Sequence, residues 1–252
     1  MQPTWDNGSF AALPELTLEA KLTDMSWLVE AGWTGNFQKN TFRSLAAINP
    51  WIYSYSSFLK SIANAKSIEQ YIGIKGGSGS HFTYETKLSF IKLNNQALFV
   101  NNAFDGKYYT PVFEPQMQAV RLHAEAGYIV GESLSLLAST SYTSYTSLQV
   151  NQKAWGLLPF EMTGTMKWKL RKDLLIKADA FLWDGSAYID KSGNAAKSDP
   201  VADINLGAEF TIVPRLNLWL QMNNMLNATY QRWNQYPVLG FNVLGGVVYS
   251  FR

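Results

Sequence analysis

The last twelve residues, Phe241 to Arg252, alternate along their whole length. Phe241, Val243, Gly245, Val247, Tyr249 and Phe251 fall on one face of an extended chain; Asn242, Leu244, Gly246, Val248, Ser250 and Arg252 fall on the other. The same period of two recurs upstream. In Phe160–Leu170, Phe160, Met162, Gly164, Met166, Trp168 and Leu170 oppose Glu161, Thr163, Thr165, Lys167 and Lys169. In Ala202–Ile212, Ala202, Ile204, Leu206, Ala208, Phe210 and Ile212 oppose Asp203, Asn205, Gly207, Glu209 and Thr211. Leu174–Leu182 and Val120–Val130 repeat the pattern, the latter turning Arg121, His123 and Glu125 away from its apolar face. Strands also fit Ile68–Gly76, Phe82–Ile91, Leu134–Tyr145 and Leu216–Leu226, and more weakly Glu15–Leu22 and Met25–Phe37. Soluble sandwich strands usually run about five or six residues. These run close to the ~9–11 that cross a bilayer at a barrel tilt.

The connections alternate too. Short turns are expected at 77–80, 131–133, 171–173 and 213–215, and long links at 93–117, 146–159, 183–201 and 227–240. Short turns at the periplasmic end and long loops outside are the habit of bacterial barrels. The final strand leaves a long loop, so it points down and places the C-terminus in the periplasm. Counted back from it, with 36–67 as one external loop, Glu15–Leu22 also points down. Antiparallel closure needs opposite directions, and bacterial single-chain barrels have even strand numbers. Either a strand is hidden in Pro3–Ala12 or Pro50–Ile62, or the chain is part of a larger barrel.

Composition sharpens this picture. Charged residues make up only 16% of the 252, below the ~25% of soluble domains. Mean hydropathy is nonetheless close to neutral and no run of ~18 apolar residues exists, so a transmembrane helix is excluded. Lumen residues diluting a lipid face account for both facts. Nine Trp and thirteen Tyr suit bilayer interfaces. A net charge of +2 gives no reason to expect a nucleic-acid partner. Cysteine is absent, and the first residues carry neither a basic nor an apolar signal region. The expectation is a single domain over 1–252: an all-β, antiparallel transmembrane β-barrel or the C-terminal portion of a larger one. About 10–12 strands lie in this chain, with no plug domain and no signal peptide.

The stretch Asn223-Asn224-Met225-Leu226-Asn227-Ala228-Thr229-Tyr230, continuing through Gln231-Arg232-Trp233 and Tyr236-Pro237 to Gly240-Phe241, resembles the closing section of TonB-dependent receptors. The Tyr-Gln-Arg-Trp stretch and the Gly-Phe-Asn-Val-Leu-Gly-Gly final strand resemble Bacteroidetes members. The hairpin carrying Gly73-Ile74-Lys75-Gly76 and Phe82-Thr83-Tyr84 fits the same barrel. The chain departs from the family in three respects. It has no plug domain or TonB box, it supplies about half of a 22-stranded barrel, and Arg252 follows the terminal aromatic Phe251. The resemblance implies an outer-membrane transport protein for nutrient uptake in a Gram-negative bacterium. This chain would supply wall and loops. Its implied partners are outer-membrane lipid, the barrel-assembly machinery reading Phe241, Val243, Val247, Tyr249 and Phe251, the TonB complex through a plug outside this chain, and a surface lipoprotein. A complete small barrel acting as a passive pore or structural protein, and a barrel enzyme, stay as alternatives.

The candidate chemistry is sparse. Glu161, Lys167, Lys169, Lys177, Asp179, Asp203 and Glu209 would face the lumen, as a substrate path or as cross-strand pairs keeping a wet interior neutral. Two histidines without cysteine make a transition-metal site unexpected. Counting alone leaves a Ser-His-Asp set open, but no Gly-x-Ser-x-Gly elbow precedes a helix; no catalytic residue and no cofactor are expected. Trp155, Trp168, Trp183, Trp219, Trp233, Tyr188, Tyr230 and Tyr236 lie near strand ends, as an interfacial girdle. Within that set, Tyr230, Trp233 and Tyr236 are candidates for contacting ligand from the outer loops.

Overall fold

The computed structural model describes residues 2–6, 9–22, 27–53 and 61–251. In chain order the strands are β1 (Gln2–Asp6), β2 (Ser9–Leu13), β3 (Glu15–Lys21) and β4 (Trp27–Gln38). A helix, α1 (Phe42–Ile48), precedes β5 (Ala65–Ser78), β6 (Phe82–Asn101), β7 (Tyr109–Val130), β8 (Leu134–Thr146), β9 (Phe160–Arg171) and β10 (Leu174–Trp183). The rest are β11 (Ala187–Ile189), β12 (Ala195–Lys197), β13 (Val201–Val213), β14 (Leu216–Asn223), β15 (Gln231–Trp233), β16 (Tyr236–Pro237) and β17 (Asn242–Tyr249).

Eleven strands form one antiparallel sheet in the order β17-β14-β13-β10-β9-β8-β7-β6-β5-β4-β3. The register carries the predicted alternation across neighbours. Val247 pairs with Leu218, Leu218 with Phe210, Phe210 with Leu174, and Ala178 with Met166, all on the apolar face. That face continues through Leu136, Tyr128, Phe82 and Leu88 to Ile72, Ala31 and Leu18. Val247, Leu220, Leu122, Phe90, Ile72 and Leu18 are each 45–61% exposed. A continuous apolar face of this kind would aggregate in water; in lipid each such side chain gains roughly 1.5–3 kcal/mol.

Among the described residues the sheet does not close on itself. Its terminal strands, β3 and β17, each have one neighbour, and across eleven antiparallel strands they point the same way. Pro3–Ala12 does hold strand structure, but β1 and β2 form a separate ribbon and add nothing to the sheet. From Pro50–Ile62 the described residues supply only the isolated bridge of Ile52 to Tyr109; 54–60 lie outside the described residues, as do Met25 and Arg252.

The link expected at 93–117 is instead mostly strand. β6 and β7 pair from Phe82↔Tyr128 to Asn101↔Tyr109, leaving only 102–108 as a turn. Asn94-Asn95, Pro111 and Pro115 read as loop residues, yet the ribbon absorbs them. Asn95 takes a positive φ of 52°, which asparagine tolerates. Pro111 lacks an N–H, but its partner Phe99 directs its own N–H away, to the Trp155 carbonyl at 3.0 Å. The Leu216–Leu226 strand stops at Asn223, because Asn224 turns to a φ of 52°. The links at 183–201 and 227–240 each contain a small hairpin, β11–β12 and β15–β16.

The two faces of β14 make an internal control. Leu220→Arg places a charge on the apolar face and should cost about 2–4 kcal/mol near mid-membrane. Gln221→Arg, one residue on, faces the other side and should be tolerated. Folded fraction in a urea series, read by heat-modifiable gel mobility, distinguishes the two.

Candidate functional site: the loop cap and the inward wall

The β6–β7 ribbon projects beyond the sheet and becomes the spine of a folded cap. On one face, Ala97, Phe99 and Tyr109 pack with Leu45 of α1, Ile52 and Trp233. On the other, Leu98, Met117 and Trp155 pack with Val112, Leu157 and Ile189. The helix starts where Thr41 and Ser44 form a reciprocal capping box, the Thr41 hydroxyl accepting from the Ser44 N–H at 3.1 Å.

Buried polar side chains tie the loops to this spine. Fully buried Glu114 accepts from the N–H groups of Gln149, Val150 and Asn151 at 2.7, 2.9 and 2.8 Å. It also accepts from Asn151 Nδ2 at 2.8 Å. Burial raises its pKa, but the Asn151 side chain and the three amides together hold it below the ordinary carboxylate value. Asn101 holds β11 with two bonds to Ile189, one to its carbonyl and one from its N–H, each 2.8 Å. Asn224 plays the same part in the last loop, accepting from Ala228 N–H at 2.9 Å and donating to the Leu239 carbonyl at 2.9 Å. Asn227 accepts from Phe241 N–H at 3.0 Å and delivers the chain into β17.

The three candidate ligand aromatics occupy different places. Trp233 is 6% exposed, edge-on to Phe99 and Tyr109 at 5.4 and 5.2 Å, and belongs to the cap core. Its ring lies where a side chain at Gly156 would be, and Gly156 holds a φ of 76°. Tyr236 stacks on Trp51 at 3.7 Å and 8°, and its hydroxyl donates to the Lys107 carbonyl. Tyr230 stands edge-on to Phe181 and Trp183, at 5.9 and 5.8 Å. Burial and nearby Asp203 raise the pKa of its phenol. Of the three, only Tyr230 lines a polar groove between the 184–200 and 227–240 loops, together with Tyr188, Asp199, Gln231 and Asn234. Arg232, next in sequence to Gln231, donates to the Gly156 carbonyl at 2.9 Å and lies over the Trp233 ring at 4.2 Å.

The final-strand residues fall as the alternation requires. Val243 and Val247 are on the apolar face of β17, and Tyr249 meets Phe251 edge-on at 4.8 Å. Phe241 precedes the strand and Phe251 follows it.

The inward wall is polar and ion-paired. Lys177 pairs with Glu209 across β10 and β13, and Lys169 lies 3.6 Å from Glu132. A denser network, not anticipated from the sequence, joins β3 to β6. Glu30, 7% exposed, meets Lys75 at 3.1 Å and Lys87 at 3.4 Å, while Lys75 also meets Glu19 and Lys87 meets Glu85. Gly73 leaves room for Glu30, Gly32 leaves room for the Tyr71 ring, and Lys87 sits 4.5 Å from that ring. Exposed pairs of this type are worth at most ~1 kcal/mol, whereas stripping Glu30 of its partners leaves a buried charge, at about 3–5 kcal/mol.

His123 Nδ1 lies 2.8 Å from Ser141 Oγ on this wall. Glu161 pairs with Ser141 from the far side, so the carboxylate stands beyond the serine and not behind the histidine. A nucleophilic triad needs the reverse order. Among the described residues, no group of three or more His, Cys, Asp or Glu side chains could hold a metal ion.

The fold is similar to that of solved transporters and an outer membrane receptor. The chain superposes on the FrpB iron transporter from Neisseria meningitidis with a TM-score of 0.64 at 16% identity, over 96% of this chain and 40% of that one. On the pyoverdine outer membrane receptor FpvA from Pseudomonas aeruginosa PAO1 the TM-score is 0.66 at 15% identity, covering 97% and 36%. On the copper transporter OprC it is 0.62 at 14% identity, covering 96% and 40%. The fold is theirs, and the chain spans two fifths or less of each of these three. No protein-family profile matches the chain. No curated protein matches it in sequence.

Glu114→Gln turns an amide N–H₂ against the loop's N–H groups and should loosen the cap by about 1–3 kcal/mol. Faster tryptic cleavage at Lys153 reads this. Because the Glu114 pKa is lowered by folding, its contribution is complete above the ordinary Glu range near ~4.3 and is lost as pH falls through the lowered value. Acid should therefore release the 149–151 segment in the wild type and change the Gln variant less.

Proposed function

We propose that the chain is the C-terminal barrel section of a TonB-dependent outer-membrane receptor of the Bacteroidetes type, working in nutrient uptake. The observation that carries this reading is the sheet itself: eleven lipid-suited strands whose two edges point the same way. Such an arc needs further strands to close. The closing-section resemblance around Asn223–Phe241 and the likeness to transporters of more than twice its length support the same conclusion.

In this role the cap lies outside the cell and the short turns face the periplasm. The apolar face meets outer-membrane lipid, and the barrel-assembly machinery reads Phe241, Val243, Val247, Tyr249 and Phe251. TonB acts through a plug in another part of the polypeptide. A surface lipoprotein seated on the cap is a further partner. Ligand first meets the groove carrying Tyr230, while Trp233 and Tyr236 shape it from behind. Iron, copper and a pyoverdine are what the three similar proteins are named for, so a metal or its chelate heads the substrate classes to test.

Tyr230→Ala should weaken uptake or ligand affinity about tenfold or more at unchanged membrane level, as expected for an aromatic hot spot. Trp233→Ala should lower the membrane level itself, by emptying a core worth about 3–5 kcal/mol. Unchanged uptake in both variants removes the loop aromatics from ligand contact. A stable, heat-modifiable monomer of this chain alone, conducting ions in planar bilayers, would replace the receptor reading with a small passive pore.

A further inference from the structure

We propose that the outer end of the lipid face, where β8 and β9 meet the 146–159 and 184–200 loops, binds the phosphate-bearing headgroup of an outer-leaflet lipid. The inference rests on the outward cap proposed above and adds a specific lipid ligand to the nutrient.

Three observations carry it. The first is position. Tyr142 and Phe160 form the last pair of β8 with β9, and both belong to the apolar face. Next down that face Met162 stands between Thr140 and Leu182. Tyr142, Met162 and Leu182 are 55, 46 and 40% exposed, so lipid covers them. A tyrosine ending such a face sits at headgroup height. The second is shape. Beside Tyr142 the loops leave a groove of about 440 Å³, walled by Leu157, Pro159 and Ala196. One water occupies ~30 Å³, so the groove takes far more than a bare ion. Its apolar walls continue the lipid face. The third is charge. Lys153 and Lys197 line this groove from two different loops, and among the described residues no acidic side chain lines it. Lys197 pairs with Asp184, whereas Lys153 has no ion pair among the described residues.

Together these describe a site for an amphiphilic anion. Lysine lays its alkyl stem along apolar surface and keeps its ammonium at the polar layer. There it meets phosphate as a compact charge, and basic pockets at membrane level take anionic headgroups this way. A soluble anion would use Lys153 and Lys197 but gain nothing from Leu157, Pro159 and Ala196. A neutral lipid would fill the apolar walls and leave both ammonium groups without a counterion. A lipid whose headgroup carries phosphate uses the whole groove, with its acyl chains running down past Tyr142 toward Met162. Lys197 also lines the groove that carries Tyr230, so Lys153 is the residue that belongs to the lipid site alone.

The test uses the full-length receptor purified from outer membranes, stripped of lipid by detergent exchange and read by native mass spectrometry. The probes are lipid A carrying both phosphates, the same lipid dephosphorylated, and inorganic phosphate. Lipid A should bind about tenfold more tightly than its dephosphorylated form, as charge-assisted contacts to phosphate require. Lys153→Ala combined with Lys197→Ala should abolish that difference, and Lys153→Ala alone should reduce it. Lys172→Ala with Lys191→Ala, which removes two exposed lysines outside the groove, should keep it. Equal binding of the two lipids, or a full preference in the first double variant, overturns the inference. So does displacement of lipid A by millimolar inorganic phosphate, which would make this a soluble-anion site. Should the double variant fail to form a heat-modifiable barrel, the two lipids compared on the wild type decide. Sidedness is read separately, because the chain has no native cysteine. Lys191→Cys on intact cells should react with an impermeant thiol reagent. Protection there overturns the outward cap and the outer-leaflet source together. Labelling without a phosphate preference overturns the lipid site and leaves the receptor reading standing.

Discussion

A backbone amide inside a bilayer has no water to bond, so every strand edge must find another strand. The rest of this structure depends on that constraint. It explains why each of the eleven strands from β3 to β17 is paired in one continuous antiparallel sheet. It also makes direction a conserved quantity: eleven antiparallel strands begin and end the same way, and no rearrangement of side chains changes that parity. The arc is complete in its middle and unfinished at β3 and β17.

Above the membrane a different logic applies. Water is available there, so loops could remain separate; instead they share one spine. The β6–β7 ribbon is apolar on both faces beyond the sheet, through Phe99 and Tyr109 on one and Leu98 on the other. Two hydrophobic clusters close over it, and Glu114, Asn101 and Asn224 satisfy the backbone of the loops that cover them. Asn224 is bonded directly to Ala228, which lines the groove around Tyr230, while Glu114 and Asn101 hold the neighbouring loops. The ion network about Glu30 does the same for the wall, fixing β3, β4, β5 and β6 against one another.

The membrane part was readable from the chain because a period of two is a local signal and lipid enforces it on every strand. The same-direction edges could be counted from turn and loop lengths alone. The cap was not readable. Pro111 and Pro115 signal a loop only when their neighbours need an N–H, and here Phe99 looks outward to Trp155. Tyr230, Trp233 and Tyr236 are close in sequence and alike in chemistry, yet one lines the groove, one fills the core and one stacks on Trp51. What separates them is contact with residues about fifty to two hundred positions away, which no local pattern encodes. Asn223, Asn224 and Asn227 form a family-like run, but the positive φ of Asn224 and Asn227 and their clamping of the last loop are set by the fold.

The central claim is that β3 and β17 are not neighbours in the working molecule. Spin labels at Leu18→Cys and Val247→Cys, both on the lipid face, report it in the native outer membrane by pulsed dipolar spectroscopy. Adjacent strands lie ~4.8 Å apart. Separation beyond about 15 Å, at least three such spacings, is the predicted result. Strong short-range broadening, placing the labels on adjoining strands, would mean that the sheet closes on itself and would contradict the account.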